Sequence, residues 1–246
     1  MITTIISYCS LDRTFIERTI EQSLLFSDDI IVVSFDHLLS GQPEDLEDIA
    51  KLGLMFPYVR FLTLPFSPAE TGRYHHNMAR WIGTHHSRYG WILYLDSDEI
   101  PDGLAVRESL LNWFPVDFDA ASFECYWYFR RPEYQAIQTE ECGLLVRKSA
   151  VLKERMFTEH ERWAFRYVPN LRFTSMARGA SGVLMHHYSW VRSEANMLAK
   201  IEGWGHKNDR DWETAVREEF KHEFNGRDFV HGYSYRLVPN KFNISL

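Results

Sequence analysis

Residues 90–99 read GWILYLDSDE, a strand-forming run that ends abruptly in Asp96, Asp98 and Glu99. In open α/β sheets the ligand crevice lies beyond the carboxyl ends of the strands. Carboxylates placed there can hold a hard divalent cation that bridges phosphate oxygens. Side chains alternate along an extended chain, so Asp96 and Asp98 point one way and Ser97 the other. A solvated turn that caps a helix ahead of Pro101 accounts for the same acids.

The opposite charge lies just upstream. The pattern predicts a helix over Gly72–Arg88 in which Arg73, His76, Asn77, Arg80 and Thr84 share one stripe. Tyr74, Met78, Trp81, Ile82 and His85 form the other side and are expected in the core. Two arginines beside an acidic strand end can grip a diphosphate bidentately. An amphipathic face turned to water is the competing reading. His75, His85 and His86 fall off the stripe and read as surface or half-buried histidines.

Strands and helices must position these groups. Ile2–Tyr8, Ile30–Phe35, Val59–Leu64 and Trp91–Leu95 are rich in β-branched or apolar residues and read as buried strands. Between them a helix carries Phe15, Ile16, Ile20 and Leu24, and another spans Pro43–Leu54 with Pro in its first turn. Strands separated by helices imply parallel pairing, a Rossmann-like half. After Pro101 the pattern turns mixed or antiparallel. Ala121–Arg130 and Gly143–Arg147 read as strands joined by a polar, Pro-containing link, and Val183–Tyr188 as another. Two amphipathic helices close the chain, with stripes Met197, Leu198, Ile201, Trp204 and Trp212, Val216, Phe220, Phe224.

The 246 residues are 45% hydrophobic and 25% charged, which excludes disorder and fits one large domain. A net charge of -7 argues against a nucleic-acid partner, while a nucleotide ligand needs only local cations. Cys9, Cys125 and Cys142 lack paired spacing, so neither a disulfide framework nor a zinc site is expected, and a reducing, cytoplasmic setting is. No basic leader precedes Ile6, and no run approaches the roughly 18 apolar residues of a membrane span. Peripheral membrane contact stays open.

The chain resembles the family 2 glycosyltransferases of GT-A fold, lipopolysaccharide-core transferases among them. Ala79–Gly83 (ARWIG) followed by YGWILYLDSDE resembles the family's Ala-Arg-Asn-x-Gly helix and Asp-x-Asp strand end, with Trp81 in place of Asn. Glu140–Lys148 followed by Phe157–Trp163 (FTEHERW) is similar to its acceptor-side segment, and Met185–Trp190 (MHHYSW) to its His-Tyr-Ser stretch. The likeness spans roughly residues 2–205. It implies an α/β fold with a mixed central sheet. The expected division is a catalytic domain over 1–205, with a nucleotide-sugar half to 100 and an acceptor half over 101–192, and a helical appendage over 193–246.

The resemblance also implies chemistry. A nucleotide-sugar donor, UDP-linked first of all, would give its sugar with inversion to a glycan or glycolipid hydroxyl. Mn²⁺ or Mg²⁺ would sit on Asp98, with Asp96 on the ribose or a metal-bound water, Ser97 beside the donor and His187 as an imidazole ligand. His186 suits a core role equally well. Glu161 of the His160-Glu161 pair, or Glu159, would take the acceptor's proton. Ser7, Tyr8, Cys9 and Asp36 would contact nucleobase and ribose, and Arg73, Asn77 and Arg80 the donor's phosphates. Phe123, Tyr126, Trp127, Tyr128, Phe129 and Tyr134 could stack on acceptor sugars, although alternation sends at least half of them to the core. Two other classes compete. A nucleotidyltransferase would need a Gly-rich loop after the first strand, where SYCSLDRT has none; a non-catalytic carbohydrate- or nucleotide-binding module would need no intact acids.

Overall fold

A computed structural model describes residues 1–113, 118–180, 182–203, 207 and 209–246. Trp204, expected on an apolar stripe, lies outside the described residues.

The first half alternates as its periodicity predicts. Strands β1 (Ile2–Ser7), β2 (Asp29–Phe35), β3 (Arg60–Leu64) and β4 (Trp91–Asp96) lie parallel in the order β3-β2-β1-β4. Helices α1 (Arg13–Ser23), α2 (Leu46–Met55) and α3 (Gly72–His86) connect them. Strand alternation divides the core. Ile2 and Ile6 join Ile16, Ile20 and Leu52 on one face, while Ile5 joins Val33, Ala79 and Tyr94 on the other. Helix α2 begins at Leu46 rather than Pro43, because the Asp45 carboxylate caps it by accepting from the Asp48 N–H at 2.9 Å.

The second half makes the sheet mixed. Strands β5 (Glu99–Pro101), β6 (Ala120–Phe129), β7 (Arg131–Arg147), β8 (Phe173–Ala177) and β9 (Met185–Trp190) extend it in the order β4-β7-β6-β9-β5, with β8 also on β6. Helix α4 (Gly103–Trp113) leads into β6, and the single turn α5 (Lys153–Met156) follows β7. The polar link expected between two strands is itself strand. β7 runs 17 residues, and Arg130 alone, at φ 57°, reverses the chain. Cross-strand pairing makes this polar stretch a good strand: Ser122 bonds Glu141, and Thr139 bonds Glu124, both at 2.5 Å.

Two helices follow β9, α6 (Glu194–Gly203) and α7 (Trp212–Phe220), and the chain then returns to the sheet through β10 (Tyr235–Leu237), antiparallel on β7. The expected helical ending is therefore incomplete. Met197, Ile201, Trp212 and Val216 pack on Trp127, Phe129 and Trp190. The buried Asp228 carboxylate fixes the return loop, accepting from the N–H groups of Val230 at 2.7 Å and Tyr233 at 2.9 Å. No helix among the described residues is long and apolar enough to cross a membrane.

Candidate functional site

A cleft of about 640 Å³ opens beyond the carboxyl ends of β1 and β4. The parallel register sets Ser7 beside Asp96, and the Ser97 N–H donates to the Ser7 carbonyl at 3.0 Å. Ser7, Tyr8, Cys9, Arg73, Arg80, Asp96, Asp98, Glu159, Glu161 and His187 all line this cleft, whereas Asp36, Asn77 and Ser97 do not. Asp36 instead accepts from the Phe66 N–H at 2.7 Å, and Asn77 is buried against the Thr158 carbonyl. Ser97 is fully buried, its Oγ donating to Asp12 at 2.5 Å.

Asn77, Arg80 and Thr84 of the polar stripe of α3 are buried, contrary to expectation, while Arg73 and His76 of that stripe are half-buried. His75, expected at the surface or half-buried, is buried too, with Ala79 and Gly83, whereas Tyr74, Met78, Trp81 and Ile82 are half-buried and His85 is exposed. The reason is close approach. A Cβ on Gly83 would stand 2.6 Å from Ile5 Cγ2, so the helix rests its small residues directly on β1. Arg80 is then 2% exposed, and it donates to Asp96 Oδ1 and to Glu161 Oε2, each at 2.9 Å. It is a buried strut between two cleft carboxylates rather than a free arm for phosphate.

Asp96 and Asp98 are each held by cations of the chain. Asp96 Oδ2 faces Arg162 at 3.5 Å, opposite the Arg80 contact. Asp98 Oδ2 accepts from Lys200 Nζ at 2.8 Å and Arg192 Nη2 at 3.1 Å, and Asp98 Oδ1 faces His187 Nε2 at 3.5 Å. Burial would raise the Asp96 carboxyl, but Arg162 and Arg80 outweigh it and hold it well below the usual range. For Asp98, burial is likewise outweighed by Lys200, His187 and Arg192. Burial disfavours charge on His187, yet Asp98 pushes its pKa well above the ordinary histidine value.

The metal expectation is tested by these contacts. A Mn²⁺ or Mg²⁺ ion on Asp98, Asp96 and His187 needs free carboxylate lone pairs and a neutral imidazole. All four aspartate oxygens lie within 3.5 Å of a cationic or imidazole nitrogen of the chain, and Asp98 raises the pKa of His187. No group of three or more His, Cys, Asp or Glu among the described residues is arranged to hold a metal ion. The three residues do not fit that role in this arrangement. His186 belongs to the core, bonded through Nδ1 to the Tyr128 hydroxyl at 2.7 Å, and burial pushes its pKa down to about 3.

Glu161 opens a 3₁₀ turn (Glu161–Tyr167) with φ 49°, a conformation sparsely used by residues other than glycine. That backbone aims its carboxylate at Arg80, with Arg73 Nε 3.8 Å from the other oxygen. Burial is outweighed by Arg80, which lowers the Glu161 pKa and keeps it ionised at neutral pH. Glu159 is far more exposed, at the cleft rim beside His160. At the other end Tyr8 is 5% exposed and its hydroxyl donates to Asp48 at 2.9 Å; Tyr8 and Phe35 both line the cleft.

Sequence reading missed Arg162, Arg192, Lys200 and Asp12. Arg162 lies within the FTEHERW segment already singled out and Arg192 two residues beyond MHHYSW, and a buried site rich in acids must take its counter-ions from somewhere. Lys200 sits between Met197 and Ile201 on α6, and a stripe reading sees only its apolar neighbours. Trp163 and Tyr167 line the cleft on the 161–167 side, and Trp127 and His231 on the other.

No protein-family model matches the sequence, and no match is found among curated proteins. Solved structures similar to the chain include S. aureus TarS 1–349, at 8% identity over 89% of this chain and 76% of that one, TM-score 0.46. A 4-diphosphocytidyl-2C-methyl-D-erythritol synthase is 11% identical over 82% of this chain and 98% of its own, TM-score 0.47. Glucosyl-3-phosphoglycerate synthase from Mycobacterium tuberculosis, in complex with Mn²⁺, UDP and phosphoglyceric acid, is 13% identical over 97% and 87%, TM-score 0.47. At such identities and scores no activity carries over from them to this chain.

Proposed function

We propose that the chain binds a nucleoside diphosphate sugar, UDP-linked in the first instance, and transfers its glycosyl group with inversion to a hydroxyl of a glycan or glycolipid. One observation carries this reading: Glu161 and Asp96 are bonded to the same buried guanidinium, Arg80, inside one cleft at the strand ends. That fixes an ionised carboxylate on the wall of a crevice with room for a nucleotide sugar. The sequence resemblance to family 2 glycosyltransferases supports the same reading.

In this reading the nucleoside lies along Ser7, Tyr8 and Phe35, and the acceptor enters past Trp163 and Tyr167, whose rings suit sugar faces. The acceptor oxygen bonds to the anomeric carbon as the bond to the diphosphate oxygen breaks. The electron pair leaves on the diphosphate, and the acceptor's proton passes to Glu161. A carboxylate with a lowered pKa is a weak base, but it need act only late, once the attacked carbon has made that hydroxyl acidic.

The test is a panel of UDP-, GDP- and dTDP-sugars, scored for binding and for donor hydrolysis. Binding with slow hydrolysis that Glu161→Gln suppresses supports an enzyme. Binding with no turnover toward any hydroxyl acceptor would leave a nucleotide-sugar-binding module. Absence of binding by every donor overturns the reading.

A further inference from the structure

The counter-ions of Asp98 extend this reading and rest on it. Arg192 is 2% exposed and holds Asp12 and Asp98 together, with its other donors on the Leu11 and Ser189 carbonyls. Lys200 reaches in from α6, and its ammonium is held by Asp98 Oδ2 at 2.8 Å and by Ser189 Oγ at 2.8 Å. Two carboxylates, Asp12 and Asp98, are thereby matched by two fixed cations. A divalent ion brought to Asp98 would meet both cations on Oδ2 and the His187 ring on Oδ1. Lys200 differs from Arg192 in one respect: it lines the cleft, with its side chain 23% exposed.

We infer that the Lys200 ammonium binds the donor's diphosphate where a divalent cation would otherwise stand, with Asp98, Arg192 and Ser189 as the frame that positions it. An ammonium carries three donors on a flexible stem, so Lys200 can exchange its Ser189 bonds for phosphate oxygens while keeping Asp98. Asp98 then serves as the anchor of a lysine. As the sugar leaves, the charge gathering on the diphosphate is met by a side chain of the chain itself.

The experiment is calorimetric titration of the full chain with UDP, GDP and dTDP, once in EDTA and once with Mn²⁺. The expected result is equal affinity in both media for whichever nucleotide binds. Lys200→Gln, checked for an unchanged melting temperature, should weaken that binding by about ten- to a hundredfold, and Lys200→Arg should recover most of it. Binding that requires Mn²⁺ in the wild type overturns the inference while leaving the glycosyltransferase reading intact. So does wild-type affinity in folded Lys200→Gln. If no nucleotide binds in either medium, the glycosyltransferase reading fails and the inference falls with it. Should Lys200→Gln not fold, the comparison of EDTA with Mn²⁺ in the wild type still decides.

Discussion

Arg162 grips both oxygens of Glu99, with Nη1 at 2.7 Å from Oε2 and Nη2 on Oε1, and Glu99 has no exposed surface. Glu99 Oε2 also accepts from the Asp96 N–H at 2.9 Å. One buried carboxylate therefore ties the 161–167 turn to the end of β4, and Glu99 is a brace for the site. Removing its charge leaves a buried guanidinium short of a partner. Glu99→Gln should cost roughly 3 kcal/mol and lower the melting temperature by about 6–12 °C in thermal denaturation. A shift within error would mean that water or Asp96 compensates fully.

The seat of α3 on β1 has its own test. Gly83→Ala adds a methyl within 2.6 Å of Ile5 Cγ2, a contact neither backbone can relieve without separating. Alanine gains about 1 kcal/mol in helix propensity, but overpacking costs about 1–3 kcal/mol, so net destabilisation is expected. Because Arg80 lies one turn earlier, UDP affinity should fall together with stability. Ile5→Ala in the same chain should restore the helix seat. A Gly83→Ala protein as stable as wild type would show that the helix lifts freely.

His186 sets a pH dependence. Its native pKa of about 3 lies below the roughly 6.5 of an unfolded histidine. Between those values the unfolded chain binds a proton that the native ring refuses, so this residue's contribution to stability falls as pH drops from about 6.5 towards 3. The slope is about 1.4 kcal/mol per pH unit at its steepest, or roughly 2 kcal/mol between pH 6.5 and 5. Urea unfolding at a series of pH values should show that slope in the wild type and lose it in His186→Gln. Parallel curves for the two proteins would place the proton uptake elsewhere.

In the proposed reading, catalysis and binding separate at the two glutamates. Glu161→Gln keeps size and hydrogen bonding to Arg80 but cannot take a proton. Turnover should drop by about 10²–10⁴ with UDP affinity nearly unchanged. Glu159→Gln should lose far less, since Glu159 is 75% exposed at the rim. Reversed outcomes would move the base two residues upstream, and two fully active variants would remove it from this turn.

The parallel half was legible because each of its strands and helices carries a periodicity that burial alone requires. Strand β7 was legible only over Gly143–Arg147, because the polar residues before them are satisfied by partners on β6 that no local pattern announces. The inward turn of α3 was hidden for a related reason. Arg80 and Asn77 look solvated on a helical wheel, and what buries them is the carboxylate pair beyond β4 and the bare backbone of Gly83. Asp96, Asp98, Glu161 and His187 were legible as chemistry-bearing residues and do line one cleft. Their counter-ions were not, since Arg162, Arg192 and Lys200 lie 63 or more residues from the acids they meet at Glu99 and Asp98.

The span of those contacts bears on biosynthesis. Asp98 and its lysine are separated by 102 residues, and chains emerge at about 5–20 residues per second. The parallel half can form while α6 is still being made, leaving Asp98 without one of its counter-charges for roughly 5–20 s. In the proposed reading, capture of donor must wait for α6 to dock and bring Lys200 to Asp98.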